Sequence, residues 1–285
     1  MHPAPFDYLA ARSVDEACAA LSLDPDGTRV LAGGQSLLPR LVRRLERPRR
    51  LVDITTVGEL RGLRPTPHGL QIGAAVTQRT GELCSALRGF GLLAQALPRV
   101  GKVTTRNRGT ICGSLAHANP AAELGVCLLA LGGKIAGVSA EGFRRIAAED
   151  FFVAPHRTAL RADELLHTVT FHRPTGIGHF DEVTLRGAGD TPLVSAAVQA
   201  HVVDGTVTDM RIAVGGAGQI PTLAGPALTG ALRGRLDDDT IEAAGRDFAA
   251  DLEFAGDAHG SGDHRRRLAA HLVTRLLHRV KSELP

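Results

Sequence analysis

The chain has 285 residues, 44% hydrophobic and 22% charged, proportions near the globular average that exclude wholesale disorder and a coiled coil. Lys plus Arg number 33 and Asp plus Glu 30, a net charge of +3 that is too small a bias to mark a nucleic-acid binder. Nine Phe, one Tyr and no Trp leave too few rings for a base-stacking platform.

Taken in chain order, Ser13 stands where it can cap a helix and Glu16 holds the capping-box position, which predicts a helix to about Leu23, stopped by Asp24-Pro25-Asp26-Gly27. Thr28–Leu31 reads as a short buried strand, and Ala32-Gly33-Gly34-Gln35-Ser36 follows at once. Leu37, Leu38, Leu41, Val42 and Leu45 then recur at helical spacing over about 36–45. Residues 50–54 and 70–76 read as short strands, and 80–90 and 92–100 as helices. From Gly101 to Pro120 the pattern breaks into a long polar stretch, read as one loop; a loop of that length inside a compact domain is usually functional. Residues 121–131 return to a helix and 134–138 to a strand. A turn-rich stretch at Pro174-Thr175-Gly176-Ile177-Gly178 marks a boundary. Three strands follow at 180–186, 195–203 and 206–214, the last two joined by an Asp204-Gly205 hairpin signal. The region 238–285 is mostly helical and ends in a basic amphipathic helix over about 264–280. No internal repeat or low-complexity segment is found.

Two segments carry chemistry. A glycine pair between a strand and a helix lets backbone N–H groups approach an anion with no Cβ in the way, and the helix N-terminus adds a partial positive charge, so 32–36 suits a phosphate. It is neither G-x-G-x-x-G nor a Walker loop, and taken alone it is also explained as a tight turn. Residues 105–114, Thr-Arg-Asn-Arg-Gly-Thr-Ile-Cys-Gly-Ser, gather hydroxyls, an amide, guanidinium charges and two glycines, a dense donor set for a pyrophosphate or ribityl chain. Two such loops fit one long ligand with two phosphates better than two unrelated turns.

Cys18, Cys84, Cys112 and Cys127 form no C-x-x-C pair, zinc spacing or iron–sulfur run, so no metal centre is expected and a reducing, cytoplasmic setting is. The start has neither a basic segment nor a signal-like apolar run, and the most apolar stretch, 124–131, is eight residues where a membrane helix needs ~20. Gly-x-Ser-x-Gly does not occur, so a hydrolase of that class has no support.

The segments 31–39 and 106–123, the latter Arg-Asn-Arg-Gly-Thr-Ile-Cys-Gly-Ser-Leu-Ala-His-Ala-Asn-Pro-Ala-Ala-Glu, together with Pro5-Phe6-Asp7-Tyr8, Leu51-Val52-Asp53-Ile54 and Gly262-Asp263-His264-Arg265, resemble the medium, flavoprotein subunit of the molybdenum hydroxylases, the carbon monoxide dehydrogenase and xanthine dehydrogenase group. The resemblance covers essentially the whole chain. It implies an α+β fold: a two-subdomain FAD-binding domain of the vanillyl-alcohol-oxidase type at 1–175, with subdomains of about 1–57 and 58–175. A C-terminal α+β domain at 178–285 follows, with a three-stranded antiparallel sheet and helices. It implies FAD as cofactor, met in the first loop by Ala32, Gly33, Gly34, Gln35, Ser36 and Leu37. In the second loop it implies Arg106, Thr110, Ile111, Cys112, Gly113, Ser114 and His117. Glu123 would lie at the ribityl or adenosine part, and Leu165 beside the flavin.

The same resemblance implies a molybdenum-cofactor large subunit and an iron–sulfur small subunit as partners, with electrons passing through FAD to NAD+, a quinone or oxygen. No side chain of this chain is then a catalytic nucleophile or base. A stand-alone FAD oxidoreductase and a flavin-free scaffold are the rivals. Two departures stand out. Cys112 replaces a glycine common in relatives and reads as a small apolar substitute, a reactive thiol near the flavin being the sharper alternative. Thr191 follows Gly189-Asp190 where relatives often carry an aromatic. Asp190 reads as a turn cap rather than a partner of Arg186, and His264-Arg265-Arg266-Arg267 as a solvated face or, less simply, a docking surface.

Overall fold

The computed structural model describes residues 2–187 and 189–285. β1 (Asp7–Ala10), α1 (Val14–Leu23), β2 (Thr28–Leu31), α2 (Leu37–Val42) and β3 (Arg50–Asp53) make a small parallel sheet in the order β1-β3-β2. Ser13 caps α1 by accepting from the Glu16 N–H at 3.1 Å, and Glu16 reaches back to the Arg12 N–H at 2.7 Å, one residue earlier than the standard box. α2 stops at Val42 rather than near 45, because the chain turns at Arg44 through φ +57°.

β4 (Leu63–Thr66) and β5 (Gly69–Gly73) open a second, antiparallel sheet. After them come α3 (Gln78–Leu83), α4 (Gly91–Ala96), α5 (Val103–Arg106), α6 (Ile111–His117) and α7 (Glu123–Leu131). β6 (Gly133–Ser139), β7 (Gly142–Ala147), the small pair β8 (Phe152–Ala154) and β9 (Arg157–Thr158), and β10 (Leu165–His172) follow. The sheet order is β4-β5-β10-β6-β7. The predicted helices 80–90 and 92–100 each break into an α turn and a 3-10 turn, Ser85–Gly89 and Leu97–Arg99, the second beginning next to Pro98. Every residue of α7 is buried, which is why its run of apolar residues shows no amphipathic stripe.

The last region holds β11 (Ile177–Thr184), β12 (Pro192–Val203), β13 (Thr206–Gly215) and β14 (Thr222–Leu223), then α8 (Pro226–Ala231), α9 (Asp238–Ala250) and α10 (Gly262–Glu283). Its antiparallel sheet has four strands, β11-β12-β13-β14, not the expected three: β14 is a two-residue segment after Pro221, too short to carry a period-two pattern. The Asp204-Gly205 turn has φ of +48° and +72°, the two left-handed residues a type I′ hairpin requires.

Two hydrophobic clusters share this sheet. On β12, Val194, Ala196, Val198 and Ala200 face α9 and α10, while Ala197 joins the larger cluster around α4 and α7. β12 is therefore buried on both faces along most of its length. Among the described residues, no helix is long and apolar enough to cross a membrane.

Candidate functional site

The glycine segment after β2 meets the second polar segment backbone to backbone. A Cβ placed on Gly33 would lie 2.1 Å from the Arg108 carbonyl oxygen and 2.6 Å from the Gly109 Cα, so only glycine allows this approach. Gly34, at φ +71°, supplies the left-handed turn into α2.

The stretch 101–120 is not the single loop expected. It holds α5 and α6, because Ile111, Cys112 and Leu115 bury one side of a short helix whose start is capped by Thr110, its Oγ1 accepting from the Gly113 N–H at 2.9 Å. Gln78 N–H donates to the Gly109 carbonyl at 2.8 Å and Ile111 N–H to that of Val76 at 3.1 Å, which tie the segment to α3 and to the link between β5 and α3. α2 and α6 have only six and seven residues, so the helix-end charge expected there adds little, and the donors are local N–H and hydroxyl groups.

Between these segments lies a cleft of about 510 Å³. Ala32, Gly33, Gly34, Gln35, Ser36 and Leu37 line one side, and Thr110, Gly113 and Ser114 the other. His117 and Glu123 continue the wall, and Gly189, Asp190, Thr191 and Pro192 reach in from the C-terminal region. Ser36 makes no cap bond, which leaves its hydroxyl uncommitted to α2.

Four of the expected residues do not line the cleft. Arg106 is buried beneath it, paired with Glu82 at 2.9 Å and donating to the Val100 and Gly101 carbonyls at 3.2 and 2.8 Å. Ile111 and Leu165 sit in the hydrophobic core. Cys112 points the other way, its thiol on the Ile72 carbonyl at 3.5 Å, and burial pushes its pKa up to about 12. That overturns the reactive-thiol alternative: a thiol so protonated is no nucleophile. Helical periodicity explains the split, since within α6 residues 111, 112 and 115 face the core while 113, 114 and 117 face the cleft.

Two other readings are corrected. Asp190 accepts from Arg186 Nε and Nη2 at 3.0 and 3.1 Å, so it is an ion-pair partner and not simply a turn cap. Arg265 is no part of a solvated face: it is buried, donating to the Leu193 carbonyl at 3.0 Å and pairing with Asp257 at 2.6 Å.

Some lining residues had no usable sequence signal. Gln78 enters from the start of α3, and its Oε1 is buried without a partner. His156, in the turn between β8 and β9, adopts φ +58° and is held by N–H donation to the Ala118 carbonyl at 2.9 Å, with its Nδ1 3.1 Å from the His117 carbonyl. Its ring lies 4.6 Å from that of His117. Burial, then the charge of His156 and of Arg40, opposed by Glu46, lowers the His117 pKa to about 4, so this ring is neutral near pH 7. Glu123 opens α7 with its side chain buried and, among the described residues, no ion-pair partner. Burial raises its pKa to about 7, against the pull of its own backbone N–H.

An unpartnered amide oxygen on Gln78, the buried Glu123 carboxyl, the Ser36 hydroxyl and two glycine-bearing segments in backbone contact form a donor and acceptor set that fits FAD. Fold and site together define a mixed α/β flavoprotein with its cleft between two glycine-bearing segments.

The comparisons narrow this. Residues 4–173 match the family described as FAD binding domain in molybdopterin dehydrogenase, and 179–280 the CO dehydrogenase flavoprotein C-terminal domain. The chain is 36% identical over 274 residues to the nicotine 6-hydroxylase medium subunit of Paenarthrobacter nicotinovorans, covering 95% of each chain. Its fold matches quinoline 2-oxidoreductase from Pseudomonas putida 86 with a TM-score of 0.93 at 34% identity, covering 99% of both chains. It matches carbon monoxide dehydrogenase from Hydrogenophaga pseudoflava with a TM-score of 0.95 at 29% identity, covering 100% of both. This chain belongs to the FAD-binding medium-subunit family of the molybdenum hydroxylases and is an FAD-containing oxidoreductase subunit. The flavin-free scaffold reading falls with that assignment.

Proposed function

We propose that this chain is the electron-transfer subunit of a cytoplasmic, multi-subunit molybdenum hydroxylase, working with a molybdenum-cofactor large subunit and an iron–sulfur small subunit. Residues 1–175 would carry FAD and 178–285 would close the cleft. That relatives are named a medium subunit and a medium chain supports an assembly of several chains. Bound FAD supplies a centre that accepts electrons singly and gives two up together, to NAD+, a quinone or oxygen.

The chain's own residues bind and orient. Gly33, Gly34, Gln35 and Ser36 hold the diphosphate from one side, and Thr110, Gly113 and Ser114 from the other. Glu123 takes the polyol and His117 remains a neutral hydrogen-bonding wall. Thr191 offers no ring to stack, which leaves that side of the cleft more open to an electron partner. The observation that carries the reading is the backbone contact of Gly33 with Arg108, which joins the two segments across one cleft.

The test is the visible spectrum of the purified chain before and after acid precipitation, with co-purification of the two partner chains. Flavin bands that move to the supernatant, and a three-chain complex on co-expression, are expected. A colourless chain that cannot be reconstituted, or a coloured chain that captures neither partner, overturns the reading. Rapid mixing of the reduced complex with NAD+, a quinone and oxygen identifies the acceptor.

A further inference from the structure

α6 leads from the diphosphate wall at Thr110 to one of the cleft's two ends, which its last residue, His117, reaches about 10 Å further on. The opposite end belongs to the C-terminal region. There Gly189–Pro192 come in so closely that a Cβ on Gly189 would stand 2.7 Å from the Gly101 carbonyl oxygen, and Glu123 opens α7, which packs on β12 and β13. The end that α6 reaches is built of His117, His156 and the pair Arg40–Glu46 at 2.5 Å. His156 is held there by the last carbonyls of α6. Its N–H donates to the Ala118 carbonyl at 2.9 Å, and its Nδ1 stands 3.1 Å from the His117 carbonyl. A carbonyl only accepts, so Nδ1 carries the proton, and in the neutral ring Nε2 is left as an acceptor. His156, at φ +58°, and Ala118, at φ +45°, both take the left-handed backbone that side chains disfavour. Two such residues bonded to each other fix this corner, and the imidazoles of His117 and His156 lie 4.6 Å apart at a tilt of 41°.

We propose that His156 reads the adenosine half of the dinucleotide: the end of α6 fixes its ring so that Nε2 accepts from a hydroxyl or amine of that half, with the His117 ring beside it. This rests on the FAD reading of the cleft. The diphosphate of FAD separates adenosine from the polyol and flavin. With the polyol at Glu123, the flavin half extends toward the C-terminal region, and adenosine is left the end where the imidazoles stand. The chemistry there suits it. A purine offers a flat face and an amine, a ribose offers hydroxyls, and a neutral imidazole supplies both a ring and an acceptor. His117 is a neutral ring near pH 7, and Arg40 beside it is already engaged by Glu46. The rival account is that His156 does no more than satisfy the last carbonyls of α6.

The experiment measures FAD binding to the full apo chain by flavin fluorescence at pH 8, with ADP and FMN as competitors, beside thermal unfolding of the same samples. His156→Asn tolerates a left-handed backbone and can still donate to the His117 carbonyl, but it has no ring and no acceptor at the Nε2 position. The Kd for FAD and for ADP should rise about tenfold, that for FMN should stay within about twofold, and Tm should not move. His156→Gly, which is also at ease at positive φ, should show the same split between ADP and FMN. An H156N chain that binds ADP as tightly as wild type means a helix cap alone and overturns the proposal, whatever its Tm. So does a loss that falls on FMN instead of ADP, or ADP that fails to compete with FAD in wild type. A wild-type chain that takes up no FAD overturns the flavin reading instead, and direct calorimetry with ADP then still decides the role of His156.

Discussion

Gly33→Ala is the sharpest perturbation this cleft allows. The added Cβ would stand 2.1 Å from the Arg108 carbonyl oxygen. Non-bonded heavy atoms settle at ~3.5 Å, somewhat less for carbon against oxygen, so the two segments must part by about 1 Å or more. The obstacle is backbone, so no rotamer change relieves it. Over-packing of this kind costs ~1–3 kcal/mol. Expressed as a penalty on the closed cleft, ~3 kcal/mol raises the Kd for FAD on the order of 100-fold. Expressed on folding, it lowers Tm by roughly 2–8 °C. The assay is quenching of flavin fluorescence on titrating apoprotein, paired with thermal unfolding of the same samples. Gly34→Ala is the control: it costs ~1–2 kcal/mol for a left-handed backbone but meets only side-chain atoms, of Leu38 and Leu31, and no backbone. G33A that binds FAD within about threefold of wild type and keeps its Tm refutes the argument, because the two segments would then be free to separate at no cost.

Arg106→Met should destabilise the chain by about 3 kcal/mol, by leaving Glu82 and two carbonyls beneath the cleft without their cation, and differential scanning calorimetry should show a clear fall in Tm. Thiol titration of the native chain at pH 8 should label half-buried Cys84 first and leave Cys18, Cys112 and Cys127 unreacted until denaturant is added; rapid labelling of Cys112 would contradict its placement. In the absence of FAD, Glu123→Gln should be as stable as wild type near pH 4.5 and progressively more stable above it. The folded-state pKa of Glu123 is raised, so wild-type stability from this group is intact below the unfolded value and is lost as pH rises through about 7. The difference should approach at most about 3 kcal/mol by pH 8.5, read from urea midpoints at each pH.

Local signals carried much of the fold. The Ser13 cap, the strand Thr28–Leu31, the Asp204-Gly205 hairpin and α10 are all written in adjacent residues, where capping, turn chemistry and periodicity act. β4, β7, β8, β9 and β10 were not read: β4 and β7 are mixed in polarity with exposed faces, β8 and β9 have three and two residues, and β10 is buried on both sides of its middle, so none shows clean alternation. The stretch 101–120 looked like a loop because its polar residues face the cleft while only Ile111, Cys112 and Leu115 face inward. At the site, the glycine-bearing segments were legible from composition. Gln78 and His156 were not, since each arrives from a distant element and only tertiary packing brings it to the cleft. Arg106 shows the reverse error, a motif residue that supports the site from below without lining it.

β12, buried on both faces, has a consequence for biosynthesis. The ribosome releases residues 1–175 well before β12 and β13 exist, and at that stage the faces of α4 and α7 that later pack on this sheet are bare and the cleft lacks its Gly189–Pro192 wall. A chain truncated near the end of the first family match should therefore aggregate more readily than the whole chain. Flavin kept by the full chain and lost from one ending near residue 175 would make flavin colour a report on complete synthesis.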